Sequence, residues 1–336
     1  MAMPIVDDSL SADTLVQSLR RRLSDCFAEV IPDGPLALVD FPDYSNVGDS
    51  AIWLGQMAWL DEMGRTPVYH AAYRDFSTDG LRHAAPDGPI LINGGGNFGT
   101  LWPRHEALRL QLLRSFPGRP IVQLPQSIHF TDEVRIDDMA QAISAHGAFT
   151  LLVRDVRSFE FAQRHFDCTV QLCPDAALYL GRLRRSPART DIFALMRTDD
   201  EKVMRDDAPL PAGVMGDDWI QEGAGERNIL RARAKIDSLF AVSQSAKRLR
   251  RFRLLANWRL QRGLAMLSQG RVVVTDRLHA HILSLLLDVP HVALDNNYGK
   301  LSGFARQWTA GYRGFRQAQT REEAFQIART LLLASG

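Results

Sequence analysis

The run LALVDF, Leu36–Phe41, passes directly into PDYSNVGDSAIW, Pro42–Trp53. The first is the length of a buried strand, and the second leads into a helix. Between the two the chain spends Asn46, Gly48 and Asp49. Asn and Gly tolerate left-handed backbone and Asp accepts from first-turn amides, so a capped turn accounts for all three. A ligand-facing role stands beside that reading, because doubly wound sheets place their ligands at the C-terminal ends of the strands.

The strand-then-helix step recurs. PVYHAA (67–72), PILINGGG (89–96), PIVQLPQS (120–127) and FTLLVRD (149–155) are each followed by polar or helically periodic sequence. This is the pattern of βα units around a parallel sheet covered on both faces. After CPDAALYLGRLRRSPART (173–190) a second series opens with DIFALMR (191–197) and continues through RVVVTDRLHAHILSLLLDVPHVALDN (271–296). The expected fold class is α/β, with two Rossmann-like domains at residues 1–183 and 184–336 and no short repeat. DDWIQEGAGERN (217–228) reads as a loop or linker. The final helix, near REEAFQIARTLLLAS (321–335), has apolar residues at the spacing that packs a helix on the body.

With 336 residues, two domains with sizeable cores are affordable; forty basic and thirty-nine acidic residues give a formal charge of +1. That balance carries no sign of a nucleic-acid partner. Cys26, Cys168 and Cys173 lie outside any Cys-x-x-Cys pattern, which suits packing residues in a reducing compartment. No apolar run approaches the roughly twenty residues that cross a bilayer, so the expected location is cytoplasmic, with contact at the inner face of the membrane left open. That contact would use AKRLRRFRLLANWRLQRG (246–263), which has seven basic residues, no acidic one, and Leu249, Phe252, Leu255 and Trp258 three apart. A packed helix with a solvated basic face fits the pattern, and so does a helix docked on anionic lipid.

Four further stretches carry chemistry. GGGNFG, Gly94–Gly99, matches the spacing of a dinucleotide fingerprint, but Pro103 interrupts the helix and no acidic residue ends the next strand. A glycine turn that brings Gly94, Gly95, Gly96 and Asn97 close to some ligand is the expectation, and nicotinamide binding is not. TDRLHAHILSLLL, Thr275–Leu287, delivers Arg277, His279 and His281 at a strand-to-helix turn, where cations beside helix amides make an anion site. Lys300 follows the next strand and is placed to close over the same site. At LLVRDVRSFEFAQ (151–163), Arg154, Asp155 and Arg157 read either as a capping salt bridge or as ligand contacts, and Asp175 reads either as a helix cap or as a cleft residue.

Taken in order, NVGDSAIW, LINGGGNFG, LLVRDVRSFEF, CPDAALYL, TDRLHAHI and DNNYGKLSGF resemble the polysaccharide pyruvyl transferase family, over about residues 36–310. The resemblance implies a GT-B-like pair of Rossmann domains facing a cleft. It also implies transfer of pyruvyl from phosphoenolpyruvate, the co-substrate, to two hydroxyls of a saccharide acceptor that is lipid-linked, as in exopolysaccharide assembly. In the family's arrangement Asn46, Gly48, Asp49, Gly94, Gly95, Gly96 and Asn97 face the acceptor, while Arg277, His279 and Lys300, with Arg154, face the donor. CPDAAL departs from the Asp-Pro-Ala order of many relatives, which leaves the role of Asp175 open.

Addition to an enolpyruvyl group needs an acid for the methylene carbon, a base for the hydroxyl and a clamp for the leaving phosphate. Asp49 is the candidate base and His279 the candidate acid or phosphate partner, and the two roles can be exchanged. No carboxylates show metal-ligand spacing, so neither a metal nor a further cofactor is expected. A GT-B glycosyltransferase using a nucleotide sugar, or a saccharide- or anion-binding protein without turnover, are the alternatives. The first would need a base pocket, and the second would tolerate neutralising Asp49 and His279.

Overall fold

The computed structural model describes residues 10–198, 209–237, 243–295 and 299–334. Its strands fall into two parallel sheets. The first holds β1 (Ala37–Val39), β2 (Tyr69–Ala71), β3 (Ile90–Ile92), β4 (Gly95–Gly99), β5 (Ile121–His129), β6 (Phe149–Val153) and β7 (Thr169–Leu172). Their order is β2-β1-β3-β5-β6-β7, with β4 also paired to β5. The second holds β8 (Thr190–Leu195), β9 (Val214–Asp217), β10 (Gly270–Thr275), β11 (His291–Leu294) and β12 (Phe315–Ala318), in the order β12-β11-β10-β8-β9. Each sheet runs outward in both directions from its own first strand. Chain direction of winding therefore reverses between β1 and β3 and again between β8 and β10, the crevices where such sheets take ligands.

The helices among the described residues are α1 (Ala12–Val30), α2 (Val47–Glu62), α3 (Thr78–Ala84), α4 (Pro103–Ser115), α5 (Glu133–His146), α6 (Val156–His165), α7 (Ala224–Asp237), α8 (Gln244–Leu267), α9 (Leu278–Leu287), α10 (Lys300–Phe304) and α11 (Arg321–Ala334). A 3-10 turn at Ala176–Leu180 and a π turn at Ala305–Thr309 join them. One apolar core takes side chains from α1, α2, α8 and α9 and from strands of both sheets, including Leu38 and Leu91 of the first and Phe193 and Val273 of the second. Phe41 stacks on Phe252 with ring centroids 3.9 Å apart, and Trp53 meets Phe252 edge-on. Separate cores close the far faces, under α3 to α6 on the first sheet and under α11 on the second.

Each quoted apolar run contains a strand, since a strand buried on both faces reads as near-continuous apolar sequence. Three readings change. GGGNFG forms β4 instead of a turn, because β5 is bulged between Gln123 and Gln126 and accepts a second neighbour on its edge. DDWIQEGAGERN is half helix, with α7 starting at Ala224, and its Trp219 is buried. The basic segment is a helix as expected, and four of its seven basic residues meet carboxylates inside the chain. Arg248 and Arg251 face Asp75, Arg253 pairs with Asp61 at 2.6 Å, and Arg259 pairs with Glu222 at 2.6 Å while donating to the Pro42 carbonyl. Through Arg248, Arg251, Arg253 and the Arg259–Pro42 contact this charge joins α8 to the first half of the chain. Among the described residues no helix is long and apolar enough to cross a membrane.

Candidate active site

The turn after β1 is built by the residues that the sequence spends there. Asn46 caps α2, accepting from the Gly48 amide at 2.9 Å, and its Nδ2 donates to Asp49 Oδ2 at 2.8 Å. The cap and the carboxylate are therefore one unit, with Asp49 aimed by Asn46. Burial pushes the neighbouring Tyr44 hydroxyl well above its usual range, and the Asp49 and Asp40 carboxylates add to the effect.

The glycines turn out to serve two different needs. A Cβ on Gly94 would lie 2.6 Å from the Pro125 carbonyl oxygen, so that glycine is required by strand packing. Gly95 instead holds φ 137°, a conformation L side chains rarely adopt, and a Cβ on Gly96 would lie 3.3 Å from Arg154 Nη2. Gly48 has the sharpest requirement: a Cβ there would stand 2.3 Å from His279 Nδ1. Its missing side chain is what seats the His279 ring.

Arg154, Asp175 and His279 come together from three separate segments. Arg154 follows β6 and is 4 % exposed. Its Nε donates to Ser127 Oγ at 2.9 Å, its Nη1 donates to Asp175 Oδ2 at 2.6 Å, and Trp308 Nε1 donates to its carbonyl. His279 Nε2 lies 3.4 Å from that Nη1 and 3.5 Å from Asp175 Oδ2. Burial alone would raise the Asp175 carboxyl, but the His279 hydrogen bond and the Arg154 charge outweigh it and hold it well below the usual carboxylate range. Asp175 is also a cap, accepting from the Ala177 amide. Both sequence readings of this residue apply at once.

The remaining candidates lie outside that three-residue cluster. Arg277 is buried and its Nη2 donates to Asp218 Oδ2 at 2.7 Å, an oxygen that also accepts from the Thr198 amide and hydroxyl. His281 is not at the cluster: it is fully buried, bonded to His291 and to the Thr309 hydroxyl at 2.7 Å each, and burial holds it well below its usual range. Arg157 sits in the first turn of α6, lining a cavity of about 390 Å³ with Ser127, Asp155, Gly299 and Arg306. The backbone of Lys300 opens α10, while its side chain lies outside the described residues. Among the described residues no group of three or more His, Cys, Asp or Glu side chains is placed to hold a metal.

A second polar cluster lies at the same sheet edge, and sequence reasoning names only its Asn97, as an acceptor-facing residue, whereas the Asn97 side chain is buried and bonded within the cluster. Asp40, His105, Asn97, Arg109, Gln123 and Gln126 are all buried and joined by hydrogen bonds. A lone histidine in the amphipathic stretch after Pro103 gives no signal of its own, and Asp40 was visible only as the polar end of its strand.

The sequence model described as polysaccharide pyruvyl transferase matches residues 46–298. Pyruvyl transferase 1 of Schizosaccharomyces pombe (strain 972 / ATCC 24843) is 30% identical over 82% of this chain and 70% of its own length. EpsO of Bacillus subtilis (strain 168), which carries the pyruvyl transferase name provisionally, is 28% identical over 90% of this chain and 94% of its own. A crystal structure of a functionally uncharacterised protein from Klebsiella pneumoniae subsp. pneumoniae NTUH-K2044 superposes with a TM-score of 0.61 at 16% identity, covering 90% of this chain and 99% of that one. That likeness is one of fold.

Proposed function

Because the chain belongs to the polysaccharide pyruvyl transferase family, we propose that it transfers the pyruvyl group of phosphoenolpyruvate to two hydroxyls of one sugar, closing a cyclic ketal and releasing phosphate. The observation that carries this reading is the Arg154–Asp175–His279 cluster, a guanidinium and an imidazole held by one buried carboxylate. Such a pair offers what the donor needs, a fixed cation for phosphate or carboxylate and an ionisable ring beside it.

In this reading the two sheet units, residues 1–183 and 184–336, act as a GT-B-like pair. Arg154 and Arg277 grip the donor's anionic groups, Lys300 closes over them, and charge on the departing phosphate is stabilised by groups already in place. His279 delivers a proton to the methylene carbon as Asp49 takes one from the attacking hydroxyl. Asn46 and the bare backbone of Gly95 and Gly96 border the acceptor, a glycan precursor whose lipid-linked form would bring the protein to the membrane's inner face.

The test is incubation with phosphoenolpyruvate and a panel of methyl hexosides and lipid-linked saccharides, followed by phosphate assay and mass spectrometry. Release of one phosphate per ketal formed is expected. Tight binding of a nucleotide sugar with none of phosphoenolpyruvate would overturn the reading in favour of glycosyl transfer.

A further inference from the structure

The Asp40–His105 pair has no part in the roles assigned so far, yet its polarity follows from the network behind it. Arg109 is fully buried, and a guanidinium has only donors to offer. Its Nη2 donates to Asn97 Oδ1 at 3.1 Å, and Gln126 Nε2 donates to the same oxygen at 2.7 Å. Gln126 cannot be turned round, because its Oε1 accepts from the Asn97 amide. The oxygen end of the Asn97 side chain is thereby fixed, which leaves Asn97 Nδ2 to donate to Asp40 Oδ2 at 3.1 Å. A carboxylate can only accept. His105 Nδ1 lies 2.7 and 2.9 Å from the two Asp40 oxygens and 3.1 Å from Asn97 Nδ2; a lone pair there would face two carboxylate oxygens at the shorter distances, so the proton is placed on Nδ1 and the Asn97 amino group is spent on Asp40. A neutral ring then has its lone pair on Nε2.

Two observations separate this pair from ordinary core packing. Asp40 holds φ 68° at the end of β1, a conformation that costs a non-glycine residue of order 1 kcal/mol or more and clusters at functional sites. The His105 ring is also framed edge-on by Tyr44 and Tyr73, at 6.0 and 5.1 Å, and the Asp49 carboxylate is close enough to Tyr44 to help push its hydroxyl upward. The dyad and the candidate base thus share one neighbour at the crevice between β1 and β3.

We propose that His105 is a second catalytic base of the transfer, with Asp40 as the residue that positions it. The proposal rests on the pyruvyl-transfer reading, and the stoichiometry of that reaction creates the need. In the addition step a sugar oxygen bonds to the central carbon of phosphoenolpyruvate, the double-bond pair takes a proton from His279, and the hydroxyl proton passes to Asp49. In the closing step the second sugar oxygen bonds to the same carbon, the carbon–oxygen bond to phosphate breaks with its electron pair on phosphate, and a second hydroxyl proton must leave. His105 Nε2 takes that proton and returns it to the departing phosphate or to water. Asp49 adjoins Gly48, on which His279 rests, so base and acid of the addition stand together. The dyad farther along the edge is left for closure.

The test compares wild type, His105→Ala, Asp40→Asn and the double variant, using the methyl hexoside that wild type pyruvylates best. His105→Ala should lower kcat about 10²-fold or more with KM for phosphoenolpyruvate little changed, and added imidazole should restore part of it. Asp40→Asn should lower kcat as well, and the double variant should be no worse than His105→Ala. Histidine-labelled wild type should show the Nδ1–H tautomer of His105 by ¹⁵N NMR. A folded His105→Ala with undiminished kcat, a loss that imidazole does not rescue, or the Nε2–H tautomer overturns the proposal. If wild type releases no phosphate from phosphoenolpyruvate with any acceptor, the pyruvyl-transfer reading falls and the proposal with it. The tautomer spectrum separates that outcome from an error in the dyad.

Discussion

Arg154 Nη1 and His279 Nε2 stand 3.4 Å apart although 125 residues separate them and each follows a strand of a different sheet. The candidate donor site therefore exists only when both sheets are in place. Arg154 makes its contacts through a fork, one nitrogen to Ser127 and another to Asp175. A lysine there would keep the charge and lose the fork. Arg154→Lys is expected to weaken phosphoenolpyruvate binding or turnover by about one to two decades, the worth of one charge-assisted contact of roughly 1.5–3 kcal/mol. Titration calorimetry with phosphoenolpyruvate measures it, and an unchanged affinity and rate would remove Arg154 from the donor site.

Gly48→Ala tests the seat of His279. The added Cβ would lie 2.7 Å from His279 Cβ as well as close to its ring, so rotating the ring does not relieve the clash, and the melting temperature should fall although alanine suits a helix better than glycine by about 1 kcal/mol. The new Cβ would stand 2.3 Å from His279 Nδ1, and His279, 13% exposed on its side chain, can give way only by leaving its place. Turnover should fall by about 10²-fold, the cost of a misplacement near 1 Å. A variant that keeps full turnover would show that His279 is not needed where it sits.

Asp49→Asn keeps a side chain of the same shape beside Asn46 and loses the capacity to take a proton. The melting temperature should change little, and phosphate release should drop by about 10²-fold or more. The outcome that removes Asp49 from the chemistry is unchanged turnover in a protein that melts normally.

Arg277→Lys probes the other anion contact of the proposed reading. The guanidinium is buried against Asp218, so a lysine leaves that carboxylate poorly matched and alters grip on the donor. A loss of about one to two decades in phosphoenolpyruvate affinity is expected, and Asp218→Asn should share part of it by freeing Arg277 to move. Equal donor affinity in all three proteins would confine the pair to structure.

Burial pushes His70 and His291 down to about 4. An unfolded chain protonates histidine near pH 6.5, so between about 6.5 and 4 the unfolded state binds more protons than the folded one. Stability should be level above that window and fall as pH drops through it, by about 1.4 kcal/mol per pH unit for each histidine. Urea midpoints from pH 7.5 to 4.5 measure the slope. His70→Leu should flatten it, and parallel curves for the two proteins would reassign the effect.

What the sequence made legible follows burial. The central strands β1, β3, β5, β6, β8, β10 and β11 are short apolar runs closed by polar residues, and each could be placed from that pattern alone. Of the four sheet margins, β2 is buried throughout and was legible as PVYHAA, whereas β7, β9 and β12 carry exposed or half-buried residues and read as nothing in particular. β4 was hidden because glycine signals a turn before it signals a strand. At the site, residues that end strands were visible, whereas Asp218, Ser127 and His105 were not. Their significance lies in partners 27 to 65 residues away, and spacing along the chain records no such distances.

The apolar layer that α1, α2, α8 and α9 share between the sheets has a thermodynamic corollary. Phe41 and Trp53 come from one half of the chain and Phe252 from the other, and all three are nearly or wholly buried. Removing a side chain like Phe252 costs about 3–5 kcal/mol, and parting the halves would expose the whole layer to water. Neither half is a self-sufficient folding unit in that circumstance. Calorimetry should record a single melting peak, and a fragment of either half should aggregate when expressed alone and recover solubility when its complement is made beside it.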